Sequence, residues 1–293
     1  MKKISLSINT IAILTVSNVM ALESNYFHQL QSKQNQVKVQ SESVSQYEAD
    51  TIDQDKVSDF NLTHLNYDYG YDDQLTLGLG VTMASGQSYR NLKDGSLIQA
   101  DIDGIKDVHL TVLRTVDLVN AKLFLKGNLH FALDNYRLNI ADQSANASIG
   151  QHVIGAEVGY LHDLEWLQVG VNFYRSYQFP GKAIFTDLGT SRSIELMGGG
   201  QSNLKMIATY NNKYQPTIAV FQNTVLNTIF NSSSQNLKTS SDEYWTRGYE
   251  FNAVFQLSDN WSILPAIIKS EEFSMQSTNL IATQFKAELR YLF

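Results

Sequence analysis

Residues 283–293, TQFKAELRYLF, separate into two chemically different sets when every second position is taken. One set is Thr283, Phe285, Ala287, Leu289, Tyr291 and Phe293; the other is Gln284, Lys286, Glu288, Arg290 and Leu292. A period of two belongs to a β-strand, whose successive side chains point to opposite faces. One face is apolar and ends in aromatics, while the other carries three charges of alternating sign. A soluble sandwich and a wall between hydrocarbon and a polar interior both use such strands, so the neighbouring segments decide between them.

The same alternation recurs along the chain. Gln74–Met83 sets Leu75, Leu77, Leu79, Val81 and Met83 against Gln74, Thr76, Gly78, Gly80 and Thr82. Lys122–Asp134 sets Leu123, Leu125, Leu129, Phe131 and Leu133 against Lys122, Lys126, Asn128, His130 and Asp134. Further copies run through 167–178 and 245–257. These segments are about 10–14 residues long, which is what a tilted strand needs to cross a bilayer and more than the usual globular strand. Eleven strands are expected at 57–70, 74–87, 105–116, 121–134, 151–161, 166–178, 201–210, 216–229, 244–257, 261–274 and 280–293. An even count, which returns the chain to its starting side, requires one more. Residues 36–47, with Val37 and Val39 alternating with Lys38 and Gln40, supply it and give twelve. The alternative is ten strands preceded by a polar arm.

The connections alternate too. Short polar links at 71–73, 117–120, 162–165, 211–215 and 258–260 interleave with longer ones at about 48–56, 87–104, 135–150, 179–200 and 230–243. Strict short–long alternation is the habit of an up-and-down membrane barrel, whereas Greek-key sandwiches have no reason for it. Three prolines among 293 residues suit long ladders, and fifteen tyrosines and fourteen phenylalanines can supply interfacial rings. A mean hydropathy of −0.22 argues against a helical membrane protein but permits a barrel, in which only alternate residues meet lipid. The net charge of −7 gives no sign of nucleic-acid binding, and the absence of cysteine removes disulfide and thiolate chemistry.

The chain opens MKKISLSINTIAILTVSNVMALES. Lys2 and Lys3, the moderately apolar stretch Ile4–Val19 and the small residues at Val19 and Ala21 read as a signal peptide over 1–21, cleaved on export through the Sec pathway. Ser5, Ser7, Asn9, Thr10, Ser17 and Asn18 make a membrane anchor a poor alternative. Residues 22–293 then form a transmembrane antiparallel β-barrel, with 22–35 a possible periplasmic arm.

The terminal alternation through Phe285, Leu289, Tyr291 and Phe293 resembles the C-terminal β-signal of Gram-negative outer-membrane β-barrel proteins. That resemblance implies recognition by the barrel-assembly machinery and a setting of outer-membrane lipid and lipopolysaccharide. Tyr67, Tyr69, Tyr71, Tyr160 and Trp166 would join Tyr291 and Phe293 in an aromatic girdle. The run Asp73–Gly80, DQLTLGLG, is similar to one strand of barrels proposed to take up aromatic or other hydrophobic compounds.

If the apolar set faces lipid, the pore-lining candidates are His64, Asp68, Asp107, His109, Lys122, Lys126, His130, Glu157, Lys205, Glu250, Lys286, Glu288 and Arg290, joined by Asn66 and Asp134. They either line a water-filled passage or pair across strands and plug it. No enzyme is expected: none of the six histidines is followed two positions later by serine, the arrangement that outer-membrane lipid hydrolases use. No metal site is expected either, for want of a His-x-x-x-His pair or a calcium-loop spacing. Residues 179–200 carry Ile184, Phe185, Leu188, Ile194 and Leu196, too many large apolar groups for a solvated link. They fold into or across the outer mouth, or pack on themselves. The expected function is a porin-like channel for passive passage of small solutes; the alternative is a surface barrel whose outer loops bind a partner.

Overall fold

A computed structural model describes residues 29–48, 56–91, 97–148, 150–226, 229–232, 237–240, 244–274 and 280–293. The expected signal peptide, residues 22–28 of the arm and residues 49–55 of the first long link lie outside them. Nineteen strands are described, in chain order β1 (Asn35–Glu48), β2 (Lys56–Asp72), β3 (Leu75–Asn91), β4 (Leu97–Leu118), β5 (Ala121–Phe131), β6 (Tyr136–Asn139), β7 (Ser144–Asn146), β8 (Val153–Asp163), β9 (Leu167–Gln178), β10 (Gly181–Asp187), β11 (Thr190–Met197), β12 (Gly200–Tyr210), β13 (Thr217–Leu226), β14 (Ile229–Ser232), β15 (Leu237–Ser240), β16 (Tyr244–Asn252), β17 (Phe255–Gln256), β18 (Trp261–Ser274) and β19 (Leu280–Leu292).

Twelve of the strands, with β17 as a short continuation of β16, pair antiparallel in sequence order and close when β1 pairs with both β2 and β19. The barrel thus has the expected twelve strands, and its first is the one at 36–47. The first and last strands of the wall meet at the short-turn side, where Asn35 and Phe293 exchange backbone hydrogen bonds of 2.9 Å.

The two faces separate as the period of two requires. Leu65, Leu79, Met83, Val112, Phe173, Met206, Val220, Phe251 and Phe285 point outward and are exposed. Such an apolar outer surface suits hydrocarbon and not water. Tyr71, Trp166, Tyr210, Tyr214, Trp261 and Phe293 ring the short-turn end, with Tyr291 stacked between Trp261 and Phe293 at centroid distances of 4.6 and 5.5 Å. Amphipathic rings settle at the headgroup level, so this belt marks the lower interface. The strand expected over 244–257 is broken at Ala253 and Val254, opposite Pro265, which has no N–H to give the ladder. Val254 turns aside and donates to Tyr214 O at 2.7 Å.

The long links hold more structure than expected. Most of 87–104 is an upward extension of β3 and β4, and the links at 135–150, 179–200 and 230–243 each contain a strand hairpin. These hairpins join one another. From Asp101–Asp103 of the wall the order is β7, β6, β10, β11, β14 and β15, with parallel contacts at β4–β7 and β6–β10. These loop strands form a lid. Tyr136, Leu138, Ala147, Ala183, Phe185 and Leu196 from the lid pack against Phe60, Leu62, Ala84, Ala100 and Ile102 from the inner face of the wall. Of the apolar residues at 184–196, Phe185 and Leu196 enter this core and Leu188 remains exposed. Each large side chain buried there contributes about 1.5–3 kcal/mol. Gly150, at φ 69°, and Gly181 let two backbones cross so closely that a Cβ on Gly181 would overlap the Gly150 carbonyl.

The outer band should tolerate charge according to depth. Met206→Arg, midway along β12, is expected to lower stability in lipid vesicles by about 2–4 kcal/mol, and Trp166→Arg, in a turn, by less than about 1. Urea titration followed by heat-modifiable gel mobility distinguishes them, and equal costs would contradict the assigned band.

Candidate functional site

Beneath the lid the inner wall becomes polar. The parity that sends Val39 and Leu65 outward sends Lys38, Gln40, Glu42, His64 and Asp68 inward, and all five are buried. Lys38 Nζ lies 2.7 Å from Asp68 Oδ2. His64 places Nδ1 3.1 Å from Thr82 Oγ1 and Nε2 3.7 Å from Glu42 Oε2. Across the barrel, Lys205 Nζ donates to Glu250 Oε2 at 2.9 Å, with side-chain exposures of 4% and 2%. Asn252 Nδ2 donates to the other oxygen of Glu250 at 3.0 Å. Arg290 Nε donates to Glu288 two residues away on the same strand. Lys126 and Glu157 are register partners on β5 and β8, and Asn172 Nδ2 donates to Glu157. Lys286, 3% exposed, stands opposite Glu42 in the register of β19 and β1 and within the electrostatic reach of Glu250.

Charges so deeply withdrawn from water are tolerable only when paired or hydrogen-bonded. The lumen therefore holds interlocked acids, bases and amides, between the apolar outer chamber and the short-turn mouth. At that mouth Leu30, 1% exposed, tucks in with its N–H 3.4 Å from Thr76 Oγ1.

Two expected lining residues sit elsewhere. Lys122 is at the lower rim, half-exposed and 3.5 Å from Asp117, because its strand begins there. Asp134 lies beyond the end of β5, exposed, with Arg137 Nη2 3.1 Å away. Conversely, Lys38, Glu42 and Lys106 belong to the buried charged set and were missed. Lys38 and Glu42 lie on β1, whose weak apolar face hides its inward set. Lys106 faces inward through a bulge between β3 and β4, where the partners pass from Thr82–Asp107 to Met83–Ile105. Bulges redirect side chains in this way.

The register also gathers three residues that spacing keeps apart. His109 and His130 are direct partners on β4 and β5, with ring centroids 5.2 Å apart. Asp107 Oδ1 lies 3.4 Å from Nδ1 of each ring. His109 Nε2 is 2.6 Å from Asn66 Oδ1. No sequence motif signals this group, since His130 joins it only through strand pairing.

Phe285 and Phe293 of the terminal strand are 59% and 54% exposed on the outer face, with Leu289 and Tyr291 on that same side, while Gln284, Lys286, Glu288 and Arg290 are buried inside.

No protein-family model matches the chain, and no curated protein matches it in sequence. Solved structures share its fold. A protein described as an outer membrane channel from Pseudomonas putida F1 superposes with a TM-score of 0.65 at 13% identity, covering 92% of this chain and 98% of its own. The translocator domain of the autotransporter NalP from Neisseria meningitidis gives 0.55 at 12%, covering 97% and 96%. The transport unit of the autotransporter AIDA-I from Escherichia coli gives 0.53 at 11%, covering 95% and 96%. The fold is that of an outer-membrane β-barrel.

The Lys205–Glu250 pair offers a test of how dry the lumen is. Lys205→Met strands a buried carboxylate and is expected to cost about 3–5 kcal/mol, most of which a further Glu250→Leu recovers. Urea titration of the refolded barrel checks both. A single variant as stable as the parent would show that water already reaches Glu250.

Proposed function

We propose that the chain is a restricted channel in the outer membrane of a Gram-negative bacterium, passing small solutes passively when its outer lid is displaced. One observation carries this reading: below the lid the lumen holds the ion pairs Lys38–Asp68, Lys205–Glu250 and Arg290–Glu288 among buried amides, while the largest apolar cluster lies above them, between the lid and the upper wall. A barrel serving only as a scaffold could fill its interior with hydrocarbon at no loss, because replacing a buried ion pair by apolar groups is often neutral or stabilising. A polar wall gives water and solutes partners along the axis. Among the described residues the strands of the lid pair with a strand of the wall through the parallel contact of β7 with Asp101–Asp103. The apolar packing of the lid can therefore be undone without breaking the barrel. Export by the signal peptide at 1–21, recognition of the terminal strand by the assembly machinery and contact with lipopolysaccharide belong to the same reading.

The alternative is a surface barrel that passes nothing and presents its outer loops to a partner. The burial of Lys205, Glu250 and Lys286 favours it, since side chains so enclosed leave little room for a standing water column.

Planar-bilayer recording separates the two. The refolded chain comprising residues 22–293 should give small, infrequent conductance steps, and replacing residues 182–196 with a short Gly-Ser link should make them several-fold larger and more frequent. A correctly folded barrel that stays silent both with and without the hairpin would reject the channel and leave the surface role.

A further inference from the structure

Asp107, His109 and His130 form a buried cluster at the level where the apolar chamber meets the charged lumen, and their donor atoms lie within 4.8 Å of one another. The two Oδ1–Nδ1 separations of 3.4 Å are long for hydrogen bonds, which close at about 2.7–3.2 Å. They fit another geometry. An ion held by tetrahedral nitrogen and oxygen ligands at about 2.0–2.1 Å keeps those ligands about 3.4 Å apart.

The surroundings fix the protonation that a metal needs. Asn66 Oδ1 can only accept, so His109 Nε2, 2.6 Å away, carries the ring proton and donates it. In the neutral ring that leaves a lone pair on His109 Nδ1, facing the Asp107 carboxylate. Asp107 Oδ1 and His109 Nδ1 are both buried without a hydrogen-bond partner among the described residues, and Asp107 is 4% exposed. Two acceptors aimed at each other in a dry site are brought together by a proton or by a metal ion between them. At His130 the Asn128 amide lies 3.3 Å from Nε2, and its own oxygen is buried and unpartnered. A half-turn of that amide presents the oxygen to a ring N–H and frees His130 Nδ1 in the same way.

Support of this kind, an outer amide or carboxylate orienting each ligating imidazole, is how proteins build metal sites. Gly80 belongs to the construction. It lies between Asn66 and His109, and a Cβ there would overlap both Asn66 Oδ1 and His109 Nε2. Asp107 shares the inward parity of His109, and the bulge beside it brings Lys106 inward as well. Among the described residues Lys106 is a positive charge beside Asp107, and it also faces Glu42.

We propose that Asp107, His109 and His130 bind a divalent first-row transition-metal ion, with zinc the best match, and leave a fourth position for water. The donor set of two imidazoles and one carboxylate suits zinc, whereas calcium and magnesium prefer oxygen alone. The site stands on geometry within the closed barrel and does not depend on whether the lumen conducts.

The test uses the untagged chain 22–293, refolded in detergent and stripped with chelator. Titration with Zn²⁺ by calorimetry should show one ion per barrel, and Co²⁺ should give the intense visible absorption of a tetrahedral site. Asp107→Asn and His130→Gln should each weaken zinc binding at least tenfold. Asn66→Ala, which touches no ligand atom, should weaken it by about 10–100-fold with the stoichiometry kept. Heat-modifiable mobility establishes that each variant is folded. Absence of saturable binding to the unmutated barrel overturns the proposal, as does zinc binding unchanged in folded Asp107→Asn and His130→Gln variants. A Co²⁺ spectrum that stays pale and octahedral does so too, with no variant required.

Discussion

The ladder between β1 and β19 runs for thirteen register pairs, from Gln36↔Leu292 to Glu48↔Leu280, and joins the first and last strands into one closed wall. In hydrocarbon no water is available to an unpaired N–H or C=O, and each such group costs several kcal/mol. An open twelve-strand sheet would present two such edges to lipid. Closure removes both, and it also decides what each strand shows to the inside. Once Asn35 and Phe293 are bonded, every inward position from Gln36 upward has a set height and set neighbours. The Lys38–Asp68 ion pair and the register position of Lys286 opposite Glu42 follow from that seam.

The same constraint explains what was legible in the sequence. Lipid selects against polar groups at every second position of every strand, so period-two alternation repeats along the chain and the short turns stay visible between copies. The terminal strand carries both halves of the argument: Phe285, Leu289, Tyr291 and Phe293 outside, Lys286, Glu288 and Arg290 inside. β1 was harder to see. Val37 and Val39 are its main outward apolar residues, and only the need for an even count brought it in. Lys122 and Asp134 were misjudged as lining because parity tells which face a residue takes but not where along its strand the lumen begins or ends.

The lid and the Asp107 cluster were illegible for a different reason. β6 and β7 are four and three residues long, too short for any periodic signal. Their partners lie in other loops, and two of the contacts are parallel, which no local pattern encodes. Five large apolar residues between 184 and 196 showed only that something must cover them. The cluster required the β4–β5 register to put His130 beside His109, and the bulge put Lys106 inside where strict alternation would have put it out.

Lid, lumen and cluster then form one axial sequence of environments. Above, Phe60, Ile102, Phe185 and Leu196 exclude water; below, Lys205 donates to the Glu250 carboxylate, with Lys286 within its electrostatic reach. Asp107, His109 and His130 lie at the boundary, where a low-dielectric roof strengthens any electrostatic interaction beneath it. An unsatisfied carboxylate–imidazole contact is costly there, and the cost grows as the roof packs more tightly. If the cluster holds an ion as proposed, neutralising that contact would also stabilise the closed roof. Any linkage between ion binding and the closed roof would then be reciprocal, each changing the free energy of the other by the same amount.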